Sequence, residues 1–199
     1  MKSLSICLLF VCLSGFSQDK YDVAAAESYQ KQLDSEYADP KESPLLDSDR
    51  EHFKGLDFYA IDAKYIVNAK FSQVKEARPF EMKTTGARRP MYVLFGIIEF
   101  SIDGKPLKLN VYRNIELSKK DEYKDHLFLP FSDLTSGKES YIGGRYIDLR
   151  VPAGDTIVID FNRAYNPYCA YNPKYSCPIV PLENDLSVEI KAGVKKFHD

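Results

Sequence analysis

The spacing of apolar and polar residues divides the chain into a short helical start and a long β-rich remainder. From Tyr21 to Tyr37, Tyr29, Leu33 and Tyr37 recur four apart with alanines at 24, 25 and 26, which predicts a helix with one aromatic, apolar face. Asp39-Pro40 ends it, because the residue before a proline is pushed out of the helical region. Ser43 to Asp47 reads as a connector, and Ser48-Asp-Arg-Glu51 is a capping-box pattern for a second short helix that stops at Gly55. Beyond it the period falls to two. Phe58 to Ala63 and Tyr65 to Phe71 are short aromatic and β-branched runs suited to a sheet edge. Tyr92 to Ile102 and Leu107 to Arg113 flank Asp103-Gly104, a strong hairpin signal. Leu107, Leu109 and Val111 alternate with Lys108 and Asn110, so that strand has one wet face, whereas Val93 to Ile98 is apolar on both faces and reads as a central strand. Arg145 to Leu149, Thr156 to Phe161 and Leu186 to Lys191 bring the set to at least seven short strands. The expected fold is mainly β: an antiparallel sandwich or open barrel with N-terminal helices.

Polar chemistry is concentrated in one stretch. From Phe128 to Asn184 aromatics, Asp, Arg and Asn stand between prolines and glycines, and burying Arg or Asp beside aromatics is costly unless they are paired. The stretch is therefore expected to hold a built polar cluster, with Asp133, Thr135, Arg145, Tyr146, Asn162, Arg163, Tyr165, Asn166 and Asn184 as its ligand-binding candidates. Strand alternation carried past Asp160 sends Phe161, Arg163 and Tyr165 to one side and Asn162 to the other. Each arginine either pairs with Asp133, Asp148 or Asp160, or waits for an anionic ligand. Asp133 reads as a turn device with Thr135, or as a general base if Phe128 and Phe131 desolvate it. His126 reads as solvated or as catalytic. Pro178 and Pro181 cannot continue a ladder and suit the wall of a pocket or the closure of a barrel. The charged connector from Lys75 to Arg89 reads as a solvated loop, with an anion-binding flap as the alternative. Common catalytic signatures are missing from the sequence. Ser136-Gly-Lys138 has Asp133 and Glu139 where a phosphate loop needs glycine and a hydroxyl, and neither a serine elbow nor a His-Glu-x-x-His helix is found.

The first 17 residues change the compartment. Lys2 followed by the apolar run Leu4 to Leu13, too short to span a bilayer, and the small residues Gly15 and Ser17 read as a cleaved secretory signal. The expected organisation is a signal over 1–17, an N-terminal helix and connector over 18–44, and a single β-rich domain over 45–199. Cys12 follows Phe10 and Val11, which does not fit a lipoprotein cleavage site, so a periplasmic or secreted product without a membrane anchor is expected. Removing Lys2 leaves 26 basic against 29 acidic residues, a balance of −3 that gives no electrostatic footprint for nucleic acid. Cys7 and Cys12 leave with the signal. The remaining Cys169 and Cys177 are a disulfide candidate that would close a short loop for roughly 2.5 kcal/mol, with reactive thiols or a metal as alternatives. Their spacing is wider than the usual zinc pair and the three histidines are scattered, so neither metal nor cofactor is expected.

Phe128 to Thr135, Gly144 to Leu149, Asp160-Phe-Asn-Arg-Ala-Tyr-Asn-Pro167, Cys169, Cys177-Pro178, Pro181 and Asn184 together resemble the bacterial family catalogued as domain of unknown function 1684. Ser43-Pro44-Leu45, Phe53 to Leu56 and the hairpin from Phe95 to Arg113 extend the likeness over about residues 25–195. Val194 departs from it, since the family usually has an acidic residue there. The resemblance implies no activity. It does imply relatives without an export signal, in which the cysteine pair meets a reducing compartment. The expected function is binding of a small polar or anionic molecule in a pocket lined by Arg, Asn, Tyr and Asp. The alternatives are a hydrolase- or lyase-type enzyme with Asp133 as base and an arginine stabilising an oxyanion, and a structural cell-envelope protein.

Overall fold

The computed structural model describes residues 23–198, so the signal expected over 1–17 lies outside the described residues. Helix α1, Val23–Ala38, forms on its predicted pattern: Ala26, Leu33 and Tyr37 are buried and Tyr29 is half-buried. The second helix, α2 (Asp47–Arg50), is a single turn that differs from its prediction. Leu46 occupies the cap position and provides no side-chain hydrogen bond, so Ser48 lies inside the helix and the capping box is not used. Asp47 and Asp49 in the first turn complement the positive helix end instead.

Seven strands form one sheet among the described residues: β1 (Ile66–Gln73), β2 (Phe80–Glu81), β3 (Met91–Ile102), β4 (Lys105–Asn114), β5 (His126–Phe131), β6 (Arg145–Arg150) and β7 (Thr156–Asp160). Neighbours run in the order β6-β5-β4-β3-β1-β7, all antiparallel, with β2 beside β3. The fold is mainly β, a curled half-barrel with an N-terminal helix. Asp103 and Gly104 both adopt positive φ, 51° and 74°, as a tight turn matching the twist of the β3–β4 hairpin requires. A bulge between Leu94 and Gly96 lets Phe95 join the buried core.

Two predicted strands are absent, each for a visible reason. In Phe58 to Ala63, Phe58 makes one bridge to Val194, after which the Asp62 carboxylate takes the Lys64 N–H at 2.9 Å and turns the chain. In Leu186 to Lys191 the backbone is partly claimed by a side chain, for the Ile190 carbonyl accepts from Arg145 at 2.8 Å. Tyr65 to Phe71 becomes β1, which lies between β3 and β7 and not at an edge. Strand β5 left no alternating signal because Leu127 to Phe131 are all buried.

Alternation sorts the side chains. Val111, Leu127, Leu129, Phe131, Ile147 and Leu149 point into the barrel core with Phe100, Ile159 and Phe161. Tyr92, Tyr112, Phe128 and Tyr146 form an aromatic layer on the other face, with Met82 packed against them. The curl brings β6 round to the chain just past β7, where Tyr146 and Tyr165 exchange both backbone hydrogen bonds at 2.9 and 3.0 Å.

Candidate functional site

Strand β6 presents Arg145 to the inside and Tyr146 and Asp148 to the outside, and this one-residue parity divides the candidate residues into two groups. Arg145 is fully buried. It donates to Asp133 Oδ2 at 2.6 Å, to the carbonyl of Ile190, to that of Ala192, and at 3.4 Å to that of Val194. Its guanidinium also lies 5.2 Å from the Phe131 ring centre. Burial pulls its pKa down and the Asp133 charge opposes this, so the pair is mutually dependent. Asp133 Oδ1 accepts from the Thr135 backbone N–H at 2.7 Å and from its hydroxyl at 2.5 Å, and that hydroxyl meets Ser140 Oγ at 2.7 Å.

The asparagines are engaged too, Asn162 and Asn184 through both amide atoms and Asn166 through its nitrogen alone. Asn184 exchanges both amide hydrogen bonds with the Asn110 backbone and donates to the Pro130 carbonyl at 2.6 Å. Asn162 exchanges hydrogen bonds with the Asp62 backbone and donates to Asp160 Oδ1 at 2.9 Å. Asn166 donates to the Lys195 carbonyl at 2.8 Å. All three are fully buried. The expected pocket of Asp133, Thr135, Arg145, Asn162, Asn166 and Asn184 is therefore a set of internal staples that hold loops to the barrel. With both carboxylate oxygens engaged and no exposed face, Asp133 has no geometry for a general base. Arg163 is corrected as well. Asp160 caps Asn162 N–H at 3.0 Å and starts a 3₁₀ turn over Phe161–Arg163, so alternation stops and Arg163 is exposed, 4.8 Å over the Tyr29 ring.

The remaining two candidates, Tyr146 and Tyr165, wall a real cavity of about 940 Å³ on the outer face of the sheet. The size falls in the range of small-molecule sites. Its floor is Tyr92, Phe128, Tyr146 and Asp148. α1 closes one side with Tyr29, Gln32, Leu33 and Glu36, and the segment from Pro167 to Pro178 closes another. Phe128 and Tyr146 pack edge to face at 4.7 Å, and Tyr146 and Tyr165 at 5.9 Å. The Tyr146 hydroxyl donates to the Pro178 carbonyl, so Pro178 is a wall, one of the two roles its sequence suited.

A polar chain crosses this aromatic surface. Tyr165 donates to Asp148 Oδ2 at 2.9 Å, and His126 Nε2 stands 2.9 Å from Asp148 Oδ1. Burial, and then the Asp148 charge, push the Tyr165 pKa far above the usual tyrosine value, so it stays a neutral donor. Arg88 lines the same cavity and donates to the Ser176 carbonyl at 2.7 Å. Among the described residues neither Arg88 nor the lining Lys174 has a carboxylate partner. The Lys75 to Arg89 connector thus has parts of both expectations: Arg78 and Lys83 are exposed, but Thr84 is buried and Arg88 lines the cleft. The sequence offers Asp148 only as an arginine partner and His126 as solvated or catalytic, and nothing in it places Arg88 or α1 at the site. The alternation of Tyr146, Asp148 and Arg150 against Arg145, Ile147 and Leu149 was the available signal.

Cys169 and Cys177 are free thiols, not the expected disulfide. The Cys169 N–H donates to Cys177 Sγ at 3.2 Å, and Cys177 borders the cavity. No group of three His, Cys, Asp or Glu among the described residues is placed to hold a metal ion.

A search of curated proteins finds no match to the chain. Among solved structures it is similar to an uncharacterized protein of Haloarcula marismortui determined by solution NMR, with 30% identity and a TM-score of 0.68 over 86% of this chain and 92% of that one. The family model described as "Protein of unknown function (DUF1684)" matches residues 51–195, which carry all seven strands, the buried staples and the 165–178 wall. On that match the chain belongs to the DUF1684 family.

Proposed function

We propose that the outer-face cleft binds a small polar molecule with an anionic group and a flat or apolar body, and that the protein does so after export. The observation that carries the reading is the Tyr165–Asp148–His126 chain laid across an aromatic floor inside an open cavity, with Arg88 at its rim. The tyrosine faces supply contact area, the Asp148–His126 pair orients donors and acceptors, and Arg88 offers charge that no carboxylate among the described residues neutralises. The N-terminal pattern of Lys2, Leu4 to Leu13 and Ser17 supports the export half.

A second reading is favoured by the 2.9 Å His126–Asp148 contact: a hydrolase- or lyase-type enzyme in which His126, held by Asp148, moves the proton once assigned to Asp133. One experiment separates these readings. A thermal-shift panel of anionic and neutral metabolites is expected to yield a ligand that raises Tm by about 5–10 °C near 100 times its Kd. Arg88→Ala should weaken that ligand tenfold or more by calorimetry. If the hit is also consumed, and Asp148→Asn stops consumption while binding persists, the enzyme reading replaces simple binding. If no compound shifts Tm, or Arg88→Ala and Asp148→Asn both leave affinity unchanged, the cleft is not the site.

A further inference from the structure

The two thiols have unlike surroundings. Cys169 is half-buried and Cys177 is buried at the edge of the cavity. The Tyr141 hydroxyl lies 3.9 Å from the Cys169 sulfur, and the Cys169 N–H donates to Cys177 Sγ at 3.2 Å, which sets the two cysteines side by side. Thr85 is held against Cys177 from both sides, since its hydroxyl accepts the Cys177 N–H at 3.1 Å and its own N–H donates to the Cys177 carbonyl at 2.9 Å. Hydrogen bonding, from Cys177 first and then from Thr85 and Tyr141, outweighs partial burial and lowers the Cys169 pKa from 9.0 to about 6. Cys177 is pushed up by its side-chain hydrogen bond to Cys169 and by burial, against the opposing Cys169 N–H and the nearby Arg88.

We propose that Cys169 and Cys177 are a redox-active dithiol that exchanges with small disulfides, with Cys169 the attacking sulfur and Cys177 the resolving one. The Cys169 thiolate attacks one sulfur of a disulfide RSSR; a Cys169–SR bond forms, the S–S bond of RSSR breaks, and RS⁻ leaves and takes a proton from water. Consuming the thiolate removes the charge that kept Cys177 protonated. Cys177 gives its proton to solvent and attacks the Cys169 sulfur, forming the Cys169–Cys177 bond, breaking the Cys169–SR bond and expelling the second RS⁻, which also takes a proton from water. In total, two thiols are oxidised, one RSSR is reduced to two RSH, and the same steps in reverse restore the thiols.

The test equilibrates the full-length protein with glutathione and glutathione disulfide over a wide range of ratios, quenches in acid, alkylates, and assigns each cysteine by peptide mapping, which separates Cys7 and Cys12. Cys169 and Cys177 are expected to pass together and reversibly between both alkylated and neither alkylated. Cys177→Ser should accumulate glutathione on Cys169, whose alkylation rate should turn on with a midpoint near pH 6. In Cys169→Ser the remaining Cys177 should alkylate at least tenfold more slowly at pH 7. Thr85→Val with Tyr141→Phe should slow Cys169 alkylation about tenfold while the wild-type ability to form the bond remains. The proposal is overturned if both thiols stay free at every ratio, if they stay joined at every ratio as a plain crosslink would, or if Cys177 captures glutathione first. The wild-type titration decides the matter even where a variant fails to fold.

Discussion

At the residue scale, a single step along a strand separates a staple from a cleft wall. Arg145 and Tyr146 are neighbours in sequence, yet one is sealed inside the barrel with Asp133 and the other forms the aromatic floor. Arg145→Ala would leave the Asp133 carboxylate buried without its cation and release the carbonyls of Ile190 and Ala192. The expected loss is about 3–5 kcal/mol, read as a lower urea midpoint, with any ligand affinity of the refolded protein unchanged. That these residues are special was legible in the sequence, because Arg, Asp and Asn among aromatics must be paired when buried. What they do was not, since nothing in Asn162 or Asn184 says that a carboxamide will be spent on a distant backbone such as that of Asp62 or Asn110. Strand parity could have shown that Arg145 and Tyr146 do not share a pocket.

At the element scale, α1, the β3–β4 hairpin and the two-sided apolar strand β3 follow from periodicity and turn chemistry alone. Elements whose backbone is claimed by side chains do not. The 186–191 segment has strand composition, but part of its backbone serves Arg145. Glycine makes the contrast between local and tertiary demand measurable. Gly104 has φ 74° and open space around its missing side chain, whereas Gly144 has φ 80° and a Cβ there would meet the Phe131 carbonyl oxygen at 2.5 Å. Gly104→Ala should cost about 1–2 kcal/mol, the price of left-handed backbone alone, and Gly144→Ala clearly more, by denaturant unfolding of both variants.

At the scale of the whole molecule, hydrogen bonding to one thiolate couples folding to proton concentration. Cys169 titrates near 6 in the folded protein and near 9.0 ordinarily, so between those values the unfolded chain binds more protons and stability of the reduced protein rises with pH. The contribution is complete above the ordinary value and is lost as pH falls through about 6. Urea unfolding across this window should show the slope in the reduced wild type and its absence in Cys169→Ser. Cys177, raised, acts in the opposite sense only above its ordinary value.

The backbone rung between Tyr146 and Tyr165 joins the two ends of the curled sheet, and the rings of the same two residues border the cavity. Half of the chain's fourteen tyrosines line that cavity, and the sequence contains no tryptophan. Loosening of the barrel seam and occupation of the cleft therefore register in one intrinsic signal, tyrosine emission, which no indole overshadows and for which no attached label is needed.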